Sequence, residues 1–544
     1  MKILFFPARL IATIILLMFF SQLLFAAPHP NEKVWVHLNK KVLITGSLLN
    51  YKVYLTTSQP MDNKKTVVYF ELVNSKNKTL LNWKSWATNK GLAGTYRIPE
   101  NLTPGIYTLK IFTNTSRKNS FVTKLLIQDI ASDPISNFTT SKTNRSFDAS
   151  AAEKKLFKLW IDNDSLQQTT HVKIESKSNI NLPSLTVSIT EITPFDSLLD
   201  VTTSITETNQ TPEKYIPERD FSLVTGKVSD TLGNPIKNHT VYASLSSKWV
   251  HFRYATTDSL GRFWFVFDST YNNRQVLIQA EPVKNQAAVL TLDKKSINLA
   301  QADTDSLPAN TAQINYTLAL QKRELVQRIF TPLNQIKPIE KPDSANENFF
   351  HRPRYSIFPN EYELLNNFIE IAENIVPTLR FKKTNNSYEL GMVLDNQQVY
   401  YNQVLVCVNG HPFFNLHALA ELSSKNIERI DVFNAITLWG ENTYHGILAI
   451  YTNKVDASFE NLNTAFAVFD NSFYESRFLP ANQNNTTSPL VLPDIYWNDA
   501  VILNKNKPFE IKLNKIDIGK NYRLRITGIS NETLIDEQFL LELN

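Results

Sequence analysis

Cysteine is almost absent from this 544-residue chain: Cys407 is the only one. A single thiol excludes an intrachain disulfide framework, so every module must be held by an ordinary apolar core. Glycine is scarce as well, with 13 residues, which excludes collagen-like and glycine-rich low-complexity sequence. No strong charge of one sign is present either. The formal net charge is +5, and it falls to about +3 once Lys2 and Arg9 are removed with an N-terminal leader. Such a balance excludes an electrostatic drive toward nucleic acid or an anionic surface. Beyond the first 27 residues no apolar run approaches the roughly 20 residues that a membrane helix needs. What is abundant is aromatic and apolar: 33 Phe, 20 Tyr and 42% hydrophobic residues overall, a composition of folded β modules.

The first residues have the parts of a secretory leader. Lys2 and Arg9 precede the apolar run Leu10 to Phe20, and Ala26-Ala27 supply small residues for cleavage. A signal peptide over residues 1–26 is expected, leaving an exported mature chain with no transmembrane segment. Its length then suggests several modules.

Residues 30–131 alternate in strand fashion, with Pro104-Gly105 presetting a tight turn. Val34-Trp-Val-His-Leu-Asn-Lys-Lys-Val-Leu-Ile-Thr-Gly46 and the ending from Leu102 to Leu109 resemble the macroglobulin-like domains of bacterial surface proteins. The resemblance implies a β-sandwich and gives His37 no role. Residues 150–201, with strands around Leu159, Val172 and Val187, read as a small β module.

Residues 217–295 contain Val224-Thr-Gly-Lys-Val-Ser-Asp-Thr-Leu-Gly-Asn-Pro-Ile236 and Thr256-Thr-Asp-Ser-Leu-Gly-Arg-Phe-Trp-Phe-Val-Phe267. Asp closes each turn with its side chain, and Gly takes the left-handed position. This stretch resembles the carboxypeptidase regulatory-like domain, a transthyretin-like β-sandwich, and implies an accessory module without peptidase chemistry. Residues 311–346 read as a helix and linker, with Leu318, Leu325, Ile329 and Phe330 expected as the buried stripe. A second helix is expected from about Glu361 to Val376, stopped by Pro377.

Residues 347–454 hold three informative runs. Val404 to Asn415 ends a buried strand in an Asn-Gly turn, Leu419 to Phe433 joins a short helix to a strand, and Leu438 to Thr452 makes a Trp-Gly turn before a β-branched strand. The order resembles the plug domain of TonB-dependent receptors, which closes a 22-stranded barrel. Only 90 residues follow Lys454, whereas 22 strands need roughly 220, so no barrel is expected in this sequence. Residues 490–544 read as a C-terminal β module.

Candidate chemistry is sparse. Cys407 lies in Val-Leu-Val-Cys-Val, where a thiol behaves as a small protonated hydrophobe rather than a nucleophile. The nine histidines have no metal-ligand spacing, although His411 and His445 flank neighbouring turns. Glu428 and Asp431 fall on opposite faces of a strand. No catalytic, metal or cofactor site is expected, and the chain is read as no enzyme. The fold class expected is multidomain and mainly β, with several β-sandwich modules plus one α/β plug-like domain. Three functions stay open: a non-enzymatic binding or scaffolding protein of the periplasm or outer-membrane surface, an accessory of TonB-dependent uptake docking on a separately encoded barrel, and an enzyme with a site assembled across modules. The partner is an outer-membrane or other envelope protein. Its expected contact surface is the pair of turns bearing Asn409, Gly410 and His411, and Trp439, Gly440 and Asn442, since loops on a rigid scaffold carry binding.

Overall fold

A computed structural model describes residues 32–57, 64–89, 91–141, 156–164, 169–177, 184–199, 216–247, 250–283, 286–297, 304–330, 352–362, 365–384, 387–453, 464–474, 493–503, 508–514, 520–530 and 533–542. The expected signal peptide and the linker beyond Phe330 lie outside them. The chain is multidomain and mainly β. Its described residues form two compact units, one drawn from 1–217, 297–337 and 475–544, the other from 218–296 and 338–474. Among the described residues no helix is long and apolar enough to cross a membrane.

The first unit opens with a contiguous sandwich. Lys33–Leu38, Leu48–Thr56 and Leu92–Arg97 form one sheet. The other runs Val42–Ile44, Phe121–Gln128, Gly105–Phe112, Thr66–Val73 and Thr79–Ala87. Inward residues such as Val36, Val53, Phe70, Leu109 and Leu125 make its core. Trp83 stacks between Phe70 and Tyr96, with ring centroids 4.8 and 3.9 Å away.

The two small modules expected at 150–201 and 490–544 are one sandwich. Strand Leu185–Glu191 lies between Asp494–Val501 and Asn521–Ser530, and Thr533–Glu542 completes that sheet. In the facing sheet Thr169–Ser176 pairs with Phe157–Asp164 on one side and Phe509–Asn514 on the other. The reason is physical: three short strands over 157–191 cannot enclose a core, and their central positions are filled only when the distant strands arrive. Val172, Ile174, Val187 and Ile189 share one buried core with Ile511, Leu513, Leu524 and Ile526.

Helix Thr311–Phe330 departs from its expected face. Leu318, Leu325 and Ile329 are exposed, while Thr317, Leu320, Gln321 and Glu324 are buried. Leu320 and Tyr316 pack on an apolar cluster with Val42, Ile44, Leu126, Phe138 and Phe195, and polar partners flank that contact. Gln321 donates to the carbonyls of Asp129 and Ser132 at 2.7 and 2.8 Å, and Arg323 pairs with Glu191 at 2.6 Å.

The second unit joins a sandwich to an α/β module. One sheet of the sandwich is Arg262–Phe267, Ser222–Asp230 and Ala288–Leu292. The other is Phe252–Thr256, Thr240–Leu245, Gln275–Ala280 and Phe466–Asp470. That last strand falls outside both expected ranges, 217–295 and 347–454, because the open edge at Gln275–Ala280 recruits it after the α/β module is complete. The α/β module has a sheet ordered Tyr355–Ile357, Ile427–Trp439, Asn442–Thr452, Leu405–Val408 and His411–Pro412, with Leu405–Val408 parallel to Asn442–Thr452. Its helix is shorter than expected, Phe368–Asn374, because Asn367 caps it by accepting from the Glu370 N–H at 3.1 Å. Phe368, Ile371 and Ala372 face the core.

Candidate functional site

The nominated turns lie together, and they face this chain's own sandwich. Asn409 and Gly410 both take left-handed conformations, φ 49° and 87°, as a tight hairpin turn between Leu405–Val408 and His411–Pro412 requires. The Asn409 side chain locks that turn to the neighbouring strand. Its Oδ1 accepts from the Thr452 N–H at 2.8 Å and its Nδ2 donates to Thr452 Oγ1 at 2.8 Å. Asn409, Gly410 and His411 are therefore buried, which corrects their assignment as a surface open to a partner.

The covering face belongs to strands Thr240–Leu245 and Gln275–Ala280. Val241, Ala243 and Leu245 point into the sandwich core, so alternation turns Tyr242 and Ser244 outward onto the α/β module. His411 sits between two hydroxyls, with Nδ1 2.7 Å from Ser244 Oγ and Nε2 2.8 Å from Ser246 Oγ. Gln279 donates to the Pro412 carbonyl at 2.9 Å, and the Ser247 N–H donates to the Asn409 carbonyl at 3.1 Å. Tyr242 and Tyr444 meet hydroxyl to hydroxyl at 3.1 Å. Burial lowers the His411 imidazole to about 4 and pushes the Tyr242 phenol and Cys407 thiol upward.

The second turn closes the same joint. Trp439 is half-buried, packed on Phe252 at 4.3 Å and edge-on to Tyr254 at 5.4 Å. Gly440 is exposed, yet a Cβ there would lie 1.6 Å from the Tyr254 hydroxyl, which accepts from the Glu441 N–H at 3.2 Å. Asn442 is half-buried and starts the returning strand opposite Trp439. Cys407, fully buried, lies in the apolar centre of this joint with Tyr242, Phe252, Phe433 and Ile447.

His411 and His445 do not come together. His411 pairs across to Val408, whose own parallel partner is Ile450, whereas His445 lies five residues earlier and stacks on Tyr400 at 4.2 Å. No cluster of three or more His, Cys, Asp or Glu side chains able to hold a metal occurs among the described residues. Asp431 is buried and accepts from Ser356 at 2.6 Å beside Arg429 at 3.2 Å, a structural pair.

Residues that the sequence reading passed over supply the other half of the joint: Tyr242, Ser244, Ser246, Phe252 and Tyr254. One signal was available. A Tyr on the outward side of Val241-Tyr-Ala-Ser-Leu marks a face that something covers. A comparable joint in the first unit was also missed. There His37 Nε2 lies 2.7 Å from Ser188 Oγ and its ring meets Trp497 edge-on at 5.2 Å, joining the contiguous and split sandwiches.

No family model matches this chain, and no curated protein does. Solved structures similar to it include the CARDB domain of the PF1109 protein from Pyrococcus furiosus, at 15% identity over 18% of this chain and 89% of that one, with TM-score 0.14. Salmonella alpha-2-macroglobulin reacted with methylamine is 9% identical over 95% of this chain, with TM-score 0.16. Trypsin-activated alpha-2-macroglobulin from Escherichia coli is 7% identical over 94%, with TM-score 0.22. The chain spans 24% and 42% of the lengths of those two macroglobulins.

Proposed function

We propose that this chain is a non-enzymatic binding or scaffolding protein of the bacterial envelope, working in the periplasm or at the outer-membrane surface. One observation carries the reading: the turns that would otherwise be adaptable loops are engaged in a joint with the adjoining sandwich. The Asn409–His411 turn and the Trp439–Asn442 turn fasten the α/β module to the adjoining sandwich through Ser244, Ser246, Phe252 and Tyr254. Reactive side chains are spent in the same way, since Cys407 and His411 serve packing and cross-module hydrogen bonding. Fastened modules hold their outward faces in fixed relation, which suits a scaffold and lowers the ordering cost of binding. The basic, apolar and small-residue pattern of Met1 to Ala27 supports export.

Docking on a separately encoded TonB-type barrel through these turns would require parting them from the sandwich first. The plug-like pattern of Val404 to Thr452 is thus read as a fold reused for joining modules. Chemical crosslinking in cells, followed by capture of the full chain from envelope fractions, tests the proposal. It should recover an envelope protein, and the mature chain should begin at or near Ala27. Recovery of a barrel protein would favour the uptake reading, and a cytoplasmic chain retaining Met1 would overturn the envelope assignment.

A further inference from the structure

We propose that the outward face of the sheet Arg262–Phe267, Ser222–Asp230 and Ala288–Leu292 binds an acidic polysaccharide: a uronic acid ring stacks on Trp264 while its carboxylate is held by Lys227 and Arg262. The strand that carries Trp264 alternates strictly. Phe263, Phe265 and Phe267 are buried in the sandwich core, whereas Arg262, Trp264 and Val266 are exposed, Trp264 at 58%. A tryptophan left this open on the solvent side of a strand is a large apolar plate that costs little entropy to use in binding. The strand behind it is firmly packed, with Phe265 5.8 Å from Phe263 and 5.9 Å from Phe267.

Strand pairing sets polar groups beside the plate in two rows. Trp264 lies opposite Thr225, whose hydroxyl donates to Asp293 at 2.6 Å. One step of about 7 Å along the strand, Arg262 lies opposite Lys227, which in turn faces Thr291. Two cations directly opposed on neighbouring strands repel, a cost that an anion between them offsets. Asp258 takes the Arg262 Nε at 2.9 Å, and among the described residues Lys227 and Thr291 have no side-chain partner. Asp293 repels an acidic group from the Trp264 row, so the carboxylate of a bound sugar faces the cations.

Two further features select the ligand. Arg253 donates to the Val266 carbonyl at 2.7 Å and pairs with Asp268, occupying part of the strand's open edge, so the face rather than the edge is free. That face is also small. Three strands ~4.8 Å apart and about five residues long offer on the order of 250 Å², whereas a stable protein interface needs about 800 Å² from each partner. A few sugar residues fit. Their axial C–H bonds present a weakly positive surface to the negative face of the indole, and charge-assisted hydrogen bonds to Lys227 and Arg262 favour a carboxylate.

The inference gives the binding role proposed above a ligand class and rests on that reading for its setting. Isothermal titration calorimetry of the full chain with oligosaccharides of pectate, alginate and hyaluronate, and with their methyl esters, tests it. At least one acid should bind about fivefold more tightly than its ester. Trp264→Ala should weaken acid and ester alike by about tenfold, and Lys227→Gln should lower the acid-over-ester preference to below about threefold. Both side chains are exposed, so circular dichroism should not change. Should Trp264→Ala fail to fold, Trp264→Tyr keeps a stacking ring and should bind within about threefold of wild type; a tenfold loss there would overturn the proposal. It is overturned equally by no binding of any acid, by binding insensitive to Trp264→Ala, or by equal affinity for acid, ester and polyglutamate. Such a result with an envelope protein still recovered by crosslinking sinks this inference and leaves the scaffold reading standing.

Discussion

The two sandwiches of the first unit have cores made in the same way and chains delivered in opposite ways. In residues 33–128 every strand finds its neighbour within one contiguous stretch. In the split sandwich Leu185–Glu191 is flanked on both sides by strands some 300 residues later in the chain. Closing a loop of about 300 residues rather than 30 costs only about 2 kcal/mol more, since the entropy grows with the logarithm of length. Burying one leucine-sized side chain offsets that. Separation along the sequence is therefore a weak barrier to partnership once a strand has an unfilled core, and a count of strand-rich stretches overstates the count of modules.

The sharpest way to break this comparison is truncation. Deleting residues 475–544 removes three of the four strands of the sheet that holds Leu185–Glu191, and one of three in the facing sheet. Limited proteolysis of the truncated chain should degrade residues 157–191 while a resistant fragment spanning 33–128 persists. Survival of 157–191 would mean that it folds alone.

Single cavities come next. Ile189→Ala and Leu524→Ala should each destabilise the split sandwich by about 2–5 kcal/mol, because both residues are fully buried in its common core. Hydrogen exchange should speed up together in 169–191 and 494–542 for either variant. Leu109→Ala, of similar cost, should have its main effect within 33–128.

A smaller effect concerns the joint between the two sandwiches. Burial, reinforced by the nearby Arg525 guanidinium, holds the His37 imidazole well below its ordinary range. Lys52 is its partner in register across the sheet, and the carboxylate of Asp536 is held by Arg525 and that of Asp494 by Lys40. The unfolded chain thus binds the extra proton first, so the first unit should lose stability as pH falls below about 6.5. Urea midpoints at pH 7.5 and 5.5 should diverge more in wild type than in His37→Gln. The smallest effect belongs to the exposed pair Lys173–Glu510, 3.4 Å apart across the split. Lys173→Ala should cost under about 1 kcal/mol by chemical denaturation.

What was legible follows the range of the forces involved. The alternation of Val34 to Leu38 and the Asn409-Gly410 turn are local, and both appear where the sequence places them. The apolar setting of Cys407 likewise gave its burial. The helix face was missed because Gln321 and Arg323 find distant carbonyl and carboxylate partners, which no periodicity records. The joint at His411 was missed for a related reason. Polarity marks a turn as surface only until another module supplies hydroxyls for it, as Ser244 and Ser246 do.

Disulfide trapping across the split tests the central claim most directly. Lys173 and Glu510 face each other in register on adjacent antiparallel strands, where directly opposed residues lie within disulfide reach. In a Cys407→Ser background, Lys173→Cys with Glu510→Cys should crosslink under mild oxidation, giving a faster-migrating chain on a non-reducing gel. Lys173→Cys with Ile511→Cys should not, because Ile511 points into the core. Equal crosslinking in both, or none in the first while its thiols remain freely reactive, would contradict a sandwich built from the two distant segments.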